Sequence, residues 1–317
     1  MPKTSPDGRQ SASDECADGP CTVALVLNHR RPRAVELARQ AADWLAAGGH
    51  RVRVPDADAA AAGLSDYACP AAEVGQGAAL AVSLGGDGTI LRTLSLVATH
   101  EVPVLGVNLG RLGYLAHVEP DALTDALKRF VAGDHDVEER ILLCVRVETG
   151  ADSDQAGTEP GTAHEVAVAG TRLALNEAVV EKLSPGQVVH VAVAIDGCFF
   201  LSYAADGMIV ATPTGSTAYA FSARGPIIAP TLRALLLSPV SPHMAFDRSL
   251  VFGPDQSLRL EVLDRPGLLI VDGQELGRLD PGASITCTAA PQPARFVTFA
   301  MQDFYGVLKA KFGLADR

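Results

Sequence analysis

Residues 79–98 read ALAVSLGGDGTILRTLSLVA and decide the fold of the N-terminal part of the chain. The apolar run at 79–84 predicts a buried strand, and apolar residues at helical spacing predict a helix that continues to about residue 98. Only the glycine-rich turn at 85–89 joins the two elements. A strand that leads directly into a helix is typical of a parallel α/β sheet.

The neighbouring segments repeat this alternation. Residues 22–27 (TVALVL) predict another buried strand, and 32–47 predict a helix that starts at Pro32 and ends before Gly48. Residues 51–54 and 102–107 predict further strands, and 121–131 a further helix. Strands alternating with helices predict an α/β domain with a parallel, doubly wound sheet.

The pattern changes after about residue 138. Short β-rich runs separated by Gly, Pro and Asp follow at 139–148, 172–180, 188–195, 199–204, 208–211, 258–263, 268–271 and 284–288. They predict an all-β second domain. We therefore expect a disordered leader at 1–20, an α/β domain at 21–137, an all-β domain at 138–300 with a polar surface loop at 149–161, and a C-terminal helix at 301–317 that returns to the first domain.

Charge and cysteine usage narrow the function classes. The net charge is −11 with no long run of Lys or Arg, so neither nucleic acid nor an anionic membrane surface is an expected partner. No segment approaches the roughly 20 apolar residues of a membrane span. Six cysteines without C-x-x-C pairs predict reduced, mostly buried thiols in a cytoplasmic protein, and no zinc site.

The turn at 85–89 predicts an anion site. Its glycines let the backbone approach a ligand and adopt positive φ, and the helix that follows offers the positive end of its dipole. Asp87 would lie beside phosphates, where it can accept a proton from an attacking hydroxyl or help to hold Mg²⁺. The structural alternative is a tight turn in which Asp87 caps the helix.

Three further motifs carry polar groups. Residues 212–219 (TPTGSTAY) offer hydroxyl and N–H donors for phosphate or ribose, or form a polar turn with a helix cap; both interpretations stay open. Asn176-Glu177 interrupts an apolar strand, which indicates either ligand contact or a strand end. Asn108 lies in GVNLGRLGYLA at 106–116, an active-site loop or a structural crossover. His190 is typical of a core histidine, and 272–274 (DGQ) of a hairpin turn.

Together these motifs resemble the NAD kinase family, over about residues 22–312. Related kinases of lipids and sugars also carry the GGDGT tract. GVNLGRLGYLA, LNE at 175–177 and DGMIVATPTGSTAYAFSARGPI at 206–227 are the discriminating pieces.

The resemblance implies roles for individual residues. Asp87 corresponds to the catalytic aspartate that takes the proton from the 2′-hydroxyl of NAD. The other implied contacts with substrate or nucleotide are Gly85, Gly86, Gly88, Thr89, Arg92, Asn108, Asn176, Glu177, His190, Asp206, Thr217, Ala218, Tyr219, Ser222 and Gln274. No protein ligand set for a metal is implied.

The resemblance also implies the partners: NAD, a phosphoryl donor that is ATP or polyphosphate, a divalent cation such as Mg²⁺, and a second copy of the chain in a homodimer or homotetramer. The chain departs from the family at three positions. Arg224 stands where a glycine is usual, Ala204 where many members have a basic residue, and Ser249 where proline is common. Two alternatives remain: a lipid or sugar kinase of the same superfamily, and a nucleotide sensor without catalytic activity.

Overall fold

The computed structural model describes residues 19–110, 113–116, 118–148, 170–300 and 303–314. The predicted leader, apart from residues 19 and 20, and the predicted loop at 149–161 lie outside these ranges. The chain divides into two compact units. One comprises the residues up to Glu139 together with those from Ala294 onwards, and the other is Arg140–Pro293.

The first unit is an α/β domain built around a seven-stranded sheet of order β3-β2-β1-β4-β5-β19-β6, in which β1, β2, β3, β4, β5 and β19 pair in parallel. Its strands are β1 (Thr22–Leu27), β2 (Arg51–Pro55), β3 (Ala68–Cys69), β4 (Leu80–Gly85), β5 (Val104–Asn108), β6 (Asp136–Arg140) and β19 (Ala294–Thr298). Its helices are α1 (Pro32–Ala47), α2 (Asp56–Ala62), α3 (Asp87–Val97), α4 (Leu123–Val131) and α6 (Phe304–Phe312).

Both faces of this sheet are covered, because β1 and β4 are buried along their whole length. Alternate residues of the two strands, such as Leu25 and Val82, pack into one core with α1, α2 and α4. Helix α3 lies outside that core cluster and packs against β4 and β5, where a side chain at Gly106 would meet Ile90. Continuous apolar strands covered on both faces are typical of parallel sheets. The α/β prediction is confirmed.

The second unit is a β-sandwich of two six-stranded antiparallel sheets, which confirms the all-β prediction. The first sheet has the order β11-β10-β15-β18-β7-β8, from β7 (Leu143–Glu148), β8 (Gly170–Ala174), β10 (Val189–Ile195), β11 (Cys198–Ala205), β15 (Leu258–Val262) and β18 (Ser284–Ala289). The second has the order β14-β13-β12-β9-β16-β17, from β9 (Glu177–Lys182), β12 (Gly207–Ala211), β13 (Leu235–Val240), β14 (Leu250–Phe252), β16 (Gly267–Val271) and β17 (Gln274–Leu279). A short helix, α5 (Tyr219–Ser222), packs outside the second sheet through Ala220.

Two parts of the predicted organisation differ from the structure. The run at 172–180, predicted as one strand, is divided between β8 and β9, which belong to different sheets. The predicted second domain ends at residue 300, whereas β19 already lies in the sheet of the first unit, between β5 and β6. Local composition identifies 294–298 as a strand but carries no information on which sheet it joins. The C-terminal helix does belong to the first unit, as predicted.

The cysteines differ in part from the prediction. Cys69, Cys144, Cys198 and Cys287 are free thiols, but only Cys287 among them is buried. Cys21 is disulfide-bonded, so the prediction of reduced thiols is wrong for this residue. Spacing rules do not identify which cysteines meet in space. Among the described residues, none of the helices has the length and apolar character needed to cross a membrane.

Candidate active site

The predicted site residues fall into two groups, one in each unit. In the first unit they collect at the carboxyl end of β4. Gly85 ends that strand, and a side chain there would collide with the Thr89 hydroxyl. Gly86 and Gly88 have open space where a side chain would be, so a ligand can approach their backbone. None of these three glycines has positive φ.

Asp87 is the first residue of α3, and its carboxylate is held by the loop that follows β5. The main-chain N–H of Tyr114 donates to Oδ2 at 3.0 Å, and that of Leu115 donates to Oδ1 at 3.4 Å. A side chain at Gly113 would overlap this carboxylate. Gly86 is the N-cap residue of α3, so the alternative that Asp87 caps the helix is wrong. The half-exposed carboxylate is fixed by its bonds to another segment.

The C-terminal helix α6 packs on the same loop. The rings of Phe304 and Tyr114 lie 6.2 Å apart, and Lys311 Nζ lies 3.6 Å from the centre of the Tyr114 ring. Burial lowers the pKa of Lys311. Burial, and secondarily the charge of Asp87, raises the pKa of Tyr114. Helix α6 therefore packs against the loop that holds Asp87. The two segments are far apart in the sequence, so no local pattern predicts this contact.

Asn108 and Arg92 lie at the same edge of the sheet. Asn108 pairs with Gly85 in the register of β4 and β5, and its Oδ1 accepts a bond from the N–H of Gly110. Arg92 donates to both carboxylate oxygens of Asp58, at 2.6 and 3.1 Å, and to the carbonyl of Leu27 at 2.7 Å. Asp58 is completely buried. Asp58 lies in an alanine-rich segment without a recognisable motif, so the local sequence does not identify it.

In the second unit, Asn176 lies in a corner between β8 and β9 and is not part of a strand. The Asp272 carboxylate accepts three consecutive main-chain bonds there, from the N–H groups of Leu175 (2.8 Å), Asn176 (2.7 Å) and Glu177 (3.1 Å). Asp272 and Gly273 have φ values of 48° and 75° and form the predicted hairpin turn between β16 and β17. The turn therefore has a second role, because it anchors the corner.

Glu177 is a buried carboxyl group, with 7% of its surface exposed. Burial, and secondarily the charge of Asp272, raises its pKa to about 7. Its Oε2 atom is buried and has no hydrogen-bond partner within the described residues. Such an atom is costly to bury in the absence of a partner. Glu177 is thus a candidate for contact with a ligand.

Tyr219 lies beside this carboxyl group, and its N–H bonds to it, whereas Asp206 lies at the other end of β9. Asp206 forms an ion pair with Lys182 at 2.5 Å, with about a quarter of each side chain exposed (30% and 23%). Burial raises the pKa of Tyr219, and the charges of Glu181, Asp206 and Glu177 add to the effect. The structure therefore brings Tyr219 to Glu177, which belongs to a different sequence motif.

The hydroxyl-rich segment at 212–217 makes mostly internal bonds. The Thr212 hydroxyl donates to the carbonyl of Leu175, and the Ser216 hydroxyl donates to the carbonyl of Pro213 at 2.6 Å. The Thr217 hydroxyl donates to Thr214. These contacts favour the structural alternative for Thr212 and Ser216. Thr217, Ala218, Tyr219 and Ser222 lie in the turn and the short helix α5, and all four are at least partly exposed.

Gly215 lets this segment pack closely against the corner at Asn176. A side chain at Gly215 would overlap the main-chain carbonyl of Asn176. The N–H of Thr212 also donates to that carbonyl at 2.9 Å. Only a glycine leaves room for the two backbones to approach so closely.

His190 lies apart from the Glu177 group within this unit. Its neighbours Val189 and Val191 point into the sandwich core, so His190 faces outward from the first sheet, where it pairs with Asp264 at 2.8 Å. Glu177 shares the outward face of Val179 on the second sheet. Gln274 is exposed and directly follows the turn that contains Asp272.

The three departures from the family have distinct settings. Arg224 has φ of 63°, a conformation that favours glycine. The Ser249 hydroxyl bonds to that of the buried Ser238 at 2.8 Å. Ala204 pairs with His190 across β11 and β10.

The fold and site define a two-unit nucleotide kinase of the GGDGT type, and comparisons with known proteins agree. Residues 23–135 match the model of the ATP-NAD kinase N-terminal domain, and residues 175–299 match that of the ATP-NAD kinase C-terminal domain. The chain belongs to the NAD kinase family.

Individual relatives support this family membership over most of the chain. NAD kinase 1 of Streptomyces avermitilis is 38% identical over 314 residues, which cover 93% of this chain and 87% of the relative. The NAD kinase of Heliobacterium modesticaldum is 38% identical over 92% of this chain and 98% of its own length. An NAD kinase from Archaeoglobus fulgidus in complex with ATP superposes with a TM-score of 0.67 at 26% identity, covering 93% of this chain and all of that one. Yeast NADH kinase complexed with NADH shares the fold, with a TM-score of 0.82 at 22% identity over 94% and 89% of the two chains.

Proposed function

We propose that the protein phosphorylates the adenosine-ribose 2′-hydroxyl of NAD to give NADP, with ATP or polyphosphate as the donor and a divalent cation as the cofactor. The observation that carries this proposal is Asp87, a carboxylate fixed by two main-chain N–H groups beside an open glycine turn. Family membership supports the reaction class.

Asp87 is the proposed general base. The 2′-oxygen of NAD attacks the terminal phosphorus of the donor, the bond to the leaving phosphate oxygen breaks, and the hydroxyl proton passes to the Asp87 carboxylate. Because the N–H groups of Tyr114 and Leu115 hold that carboxylate, it keeps one orientation through the reaction. Such positioning is a large part of catalysis in phosphoryl transfer.

The residues present fit a cation that arrives with the donor. Within the described ranges, the structure contains no cluster of three or more His, Cys, Asp or Glu side chains placed to hold a metal ion. Mg²⁺ is commonly bound by one or two carboxylates together with substrate phosphates, and Asp87 is the carboxylate at the glycine turn. When bound, the cation would neutralise charge on the donor phosphates.

The remaining residues divide between donor and acceptor. We assign to the donor side Gly85, Gly86, Gly88, Thr89, Asn108 and Arg92. We assign to NAD Asn176, Glu177, Asp206, Thr217, Ala218, Tyr219, Ser222 and Gln274; His190, which faces outward from the other sheet, is not assigned to this contact. The partnerless Oε2 of Glu177 supports a ligand contact there. Arg92 is already paired with Asp58. We therefore expect it to contribute mainly by holding the carbonyl of Leu27, at the end of β1, in place.

A coupled assay tests the proposal. Purified protein is incubated with NAD, Mg²⁺ and either ATP or polyphosphate, and an NADP-specific dehydrogenase reports the product. We expect Asp87→Asn to lower kcat by roughly 10²- to 10⁴-fold, the usual contribution of a general base, with unchanged circular dichroism. Asp121→Asn is the matched control, because Asp121 is exposed and, among the described residues, forms an ion pair with Arg33 alone.

Other outcomes identify the alternatives. Near-normal turnover of Asp87→Asn would refute the assignment of the base. NAD binding without turnover by the unmodified protein would indicate a sensor. Failure to bind NAD would indicate a lipid or sugar acceptor.

We also propose a cytoplasmic homodimer or homotetramer, as the resemblance implies. Light scattering coupled to size-exclusion chromatography measures the mass of the assembly, and a monomer at micromolar concentration would contradict the oligomer.

A further inference from the structure

A basic cavity lies in the first unit, at the carboxyl end of β1. Its volume is roughly 470 Å³, and two segments form its walls: the residues that end and follow β1, and the first turns of α3. The lining residues are Leu27, Asn28, His29, Arg30, Arg31, Gly86, Gly88, Thr89 and Arg92. No lining residue is acidic, and none is Phe, Tyr or Trp, although the chain as a whole carries a net charge of −11.

The charge of Arg92 is already balanced. Its guanidinium binds the completely buried Asp58, which also accepts a bond from the N–H of Leu27 at 3.0 Å. Since Arg92 also binds the carbonyl of Leu27, this ion pair fastens the end of β1 to α3. The ion pair therefore shapes the cavity and leaves little of its charge for a ligand.

Arg30 supplies a charge that is not balanced. The exposed loop that carries it is ordered by Asn28, whose side chain accepts the N–H of Arg30 at 3.2 Å and whose carbonyl accepts the N–H of Arg31 at 2.9 Å. The guanidinium of Arg31 donates to the carbonyl of Leu109. The guanidinium of Arg30 makes no hydrogen bond or ion pair with any residue in the described part of the chain. Arg30 thus presents an unpaired cation on a loop held in place.

The opposite wall suits an extended anion. Gly86 and Gly88 leave their backbone open, and the eleven-residue helix α3 directs the positive end of its dipole to the same place. A guanidinium binds phosphate oxygens in a bidentate manner. Because the lining is basic and has no Phe, Tyr or Trp ring to stack on a base, its chemistry favours the phosphates of a ligand.

We propose that Arg30 is a further binding residue on the donor side and that its guanidinium contacts the phosphate chain of the donor directly in this cavity. The inference rests on the proposed function and adds a binding residue to it. Since the lining is suited to phosphates, the cavity accepts a nucleoside triphosphate or an inorganic polyphosphate.

Arg30→Gln tests the contact, and Arg33→Gln is the matched control. Arg33 lies in the first turn of α1, pairs with Glu36 and Asp121, and does not line the cavity. For Arg30→Gln we expect the KM of the donor to rise about tenfold or more, as for a lost hydrogen bond to a charged group. The KM of NAD should stay within about twofold, and the control should match the unmodified protein.

Separate measurements with ATP and with polyphosphate identify which donor supplies the phosphate chain. A rise in KM for either donor supports the proposal, and unchanged values for both overturn it while the kinase activity stands. Calorimetric titration with inorganic tripolyphosphate is independent of turnover. Weaker binding by Arg30→Gln than by Arg33→Gln would support the cavity even in a protein without kinase activity, and equal binding by both variants would overturn it.

Discussion

The turn after β4 and the corner before β9 are both held by an aspartate that accepts main-chain N–H groups from a distant segment. Asp87 accepts two such bonds and Asp272 accepts three, and both side chains are half-buried. Burial raises the pKa of Asp272, and its three bonds oppose that rise. The same interaction therefore occurs in two settings: at the glycine turn it orients the carboxylate proposed as the base, and at the corner it positions Asn176 and Glu177.

A glycine packs closely at each of these two sites: Gly113 against Asp87, and Gly215 against the corner at Asn176. An added side chain would meet different atoms at the two glycines. A side chain at Gly215 would overlap the main chain of Asn176, whereas the three atoms nearest to one at Gly113 all belong to the side chain of Asp87. Substitutions at the two glycines therefore separate stability from catalysis.

Gly215→Ala has the largest expected effect on stability. Because a main-chain carbonyl cannot rotate away, we expect the second unit to lose about 3 kcal/mol, near the upper range for overpacking. Hydrogen exchange of peptides from β9 and β12 measures the loss. Gly253→Ala is the control, since the nearest neighbour of its added methyl group, Gln256 Oε1, would lie 4.0 Å away, and equal protection in the two variants would contradict the prediction.

Gly113→Ala should reduce kcat by roughly 100-fold, the cost of moving a reacting group by about 1 Å. The Asp87 carboxylate can rotate away from the new methyl group, so we expect the thermal midpoint to change little. The coupled assay and a thermal scan measure the two effects. Gly110→Ala in the same loop is the control, with 3.7 Å between the new Cβ and its nearest neighbour; a similar fall in its kcat would argue against displacement of Asp87.

The buried Glu177 should make stability depend on pH. Its pKa of about 7 in the folded state exceeds the ordinary value of 4.5. Below pH 4.5 the group is protonated in both states; as the pH rises to 7, the unfolded chain releases its proton first. The free energy of unfolding should therefore fall by about 2 kcal/mol between pH 5 and 8.

Urea unfolding of Glu177→Gln across this pH range measures the effect. The variant should lack that part of the pH dependence and exceed the unmodified protein in stability at pH 8. Glu181→Gln, on the same face of β9, should keep the dependence. Parallel pH profiles for Glu177→Gln and the unmodified protein would rule out the raised pKa.

Arg224→Gly has the smallest expected effect, a gain of about 1 kcal/mol. Arg224 has φ of 63°, and a left-handed conformation costs an L-residue about that amount. The thermal midpoint measures the gain. Arg224→Ala keeps the strain and removes the charge, so a midpoint as high as that of Arg224→Gly would assign the effect to charge.

Local patterns predicted much of the molecule. The bounds of β1 and α1 agree with the prediction because a β-branched run, Pro32 and Gly48 mark them in the sequence. Asp87 could be singled out as a candidate site residue because its turn joins a strand and a helix that are adjacent in the sequence. The division between β8 and β9 could not, because it depends on Asp272, which lies 97 residues from Leu175. Asp58 and its pairing with Arg92 were missed for the same reason, since long-range partners leave no local pattern.

The place of β19 in the first sheet has a consequence for synthesis on the ribosome. β6 borders only β19 in that sheet, so residues 136–140 have no strand to pair with until residues 294–298 emerge. At about 5 to 20 residues per second, the intervening segment takes on the order of ten seconds or more to translate. Throughout that interval the edge of β5 is paired in part, because Val118 bonds to Gly106 and Asn108, and the second unit can fold first. The growing chain thus exposes the rest of that edge, around Val104, which chaperones would be expected to cover.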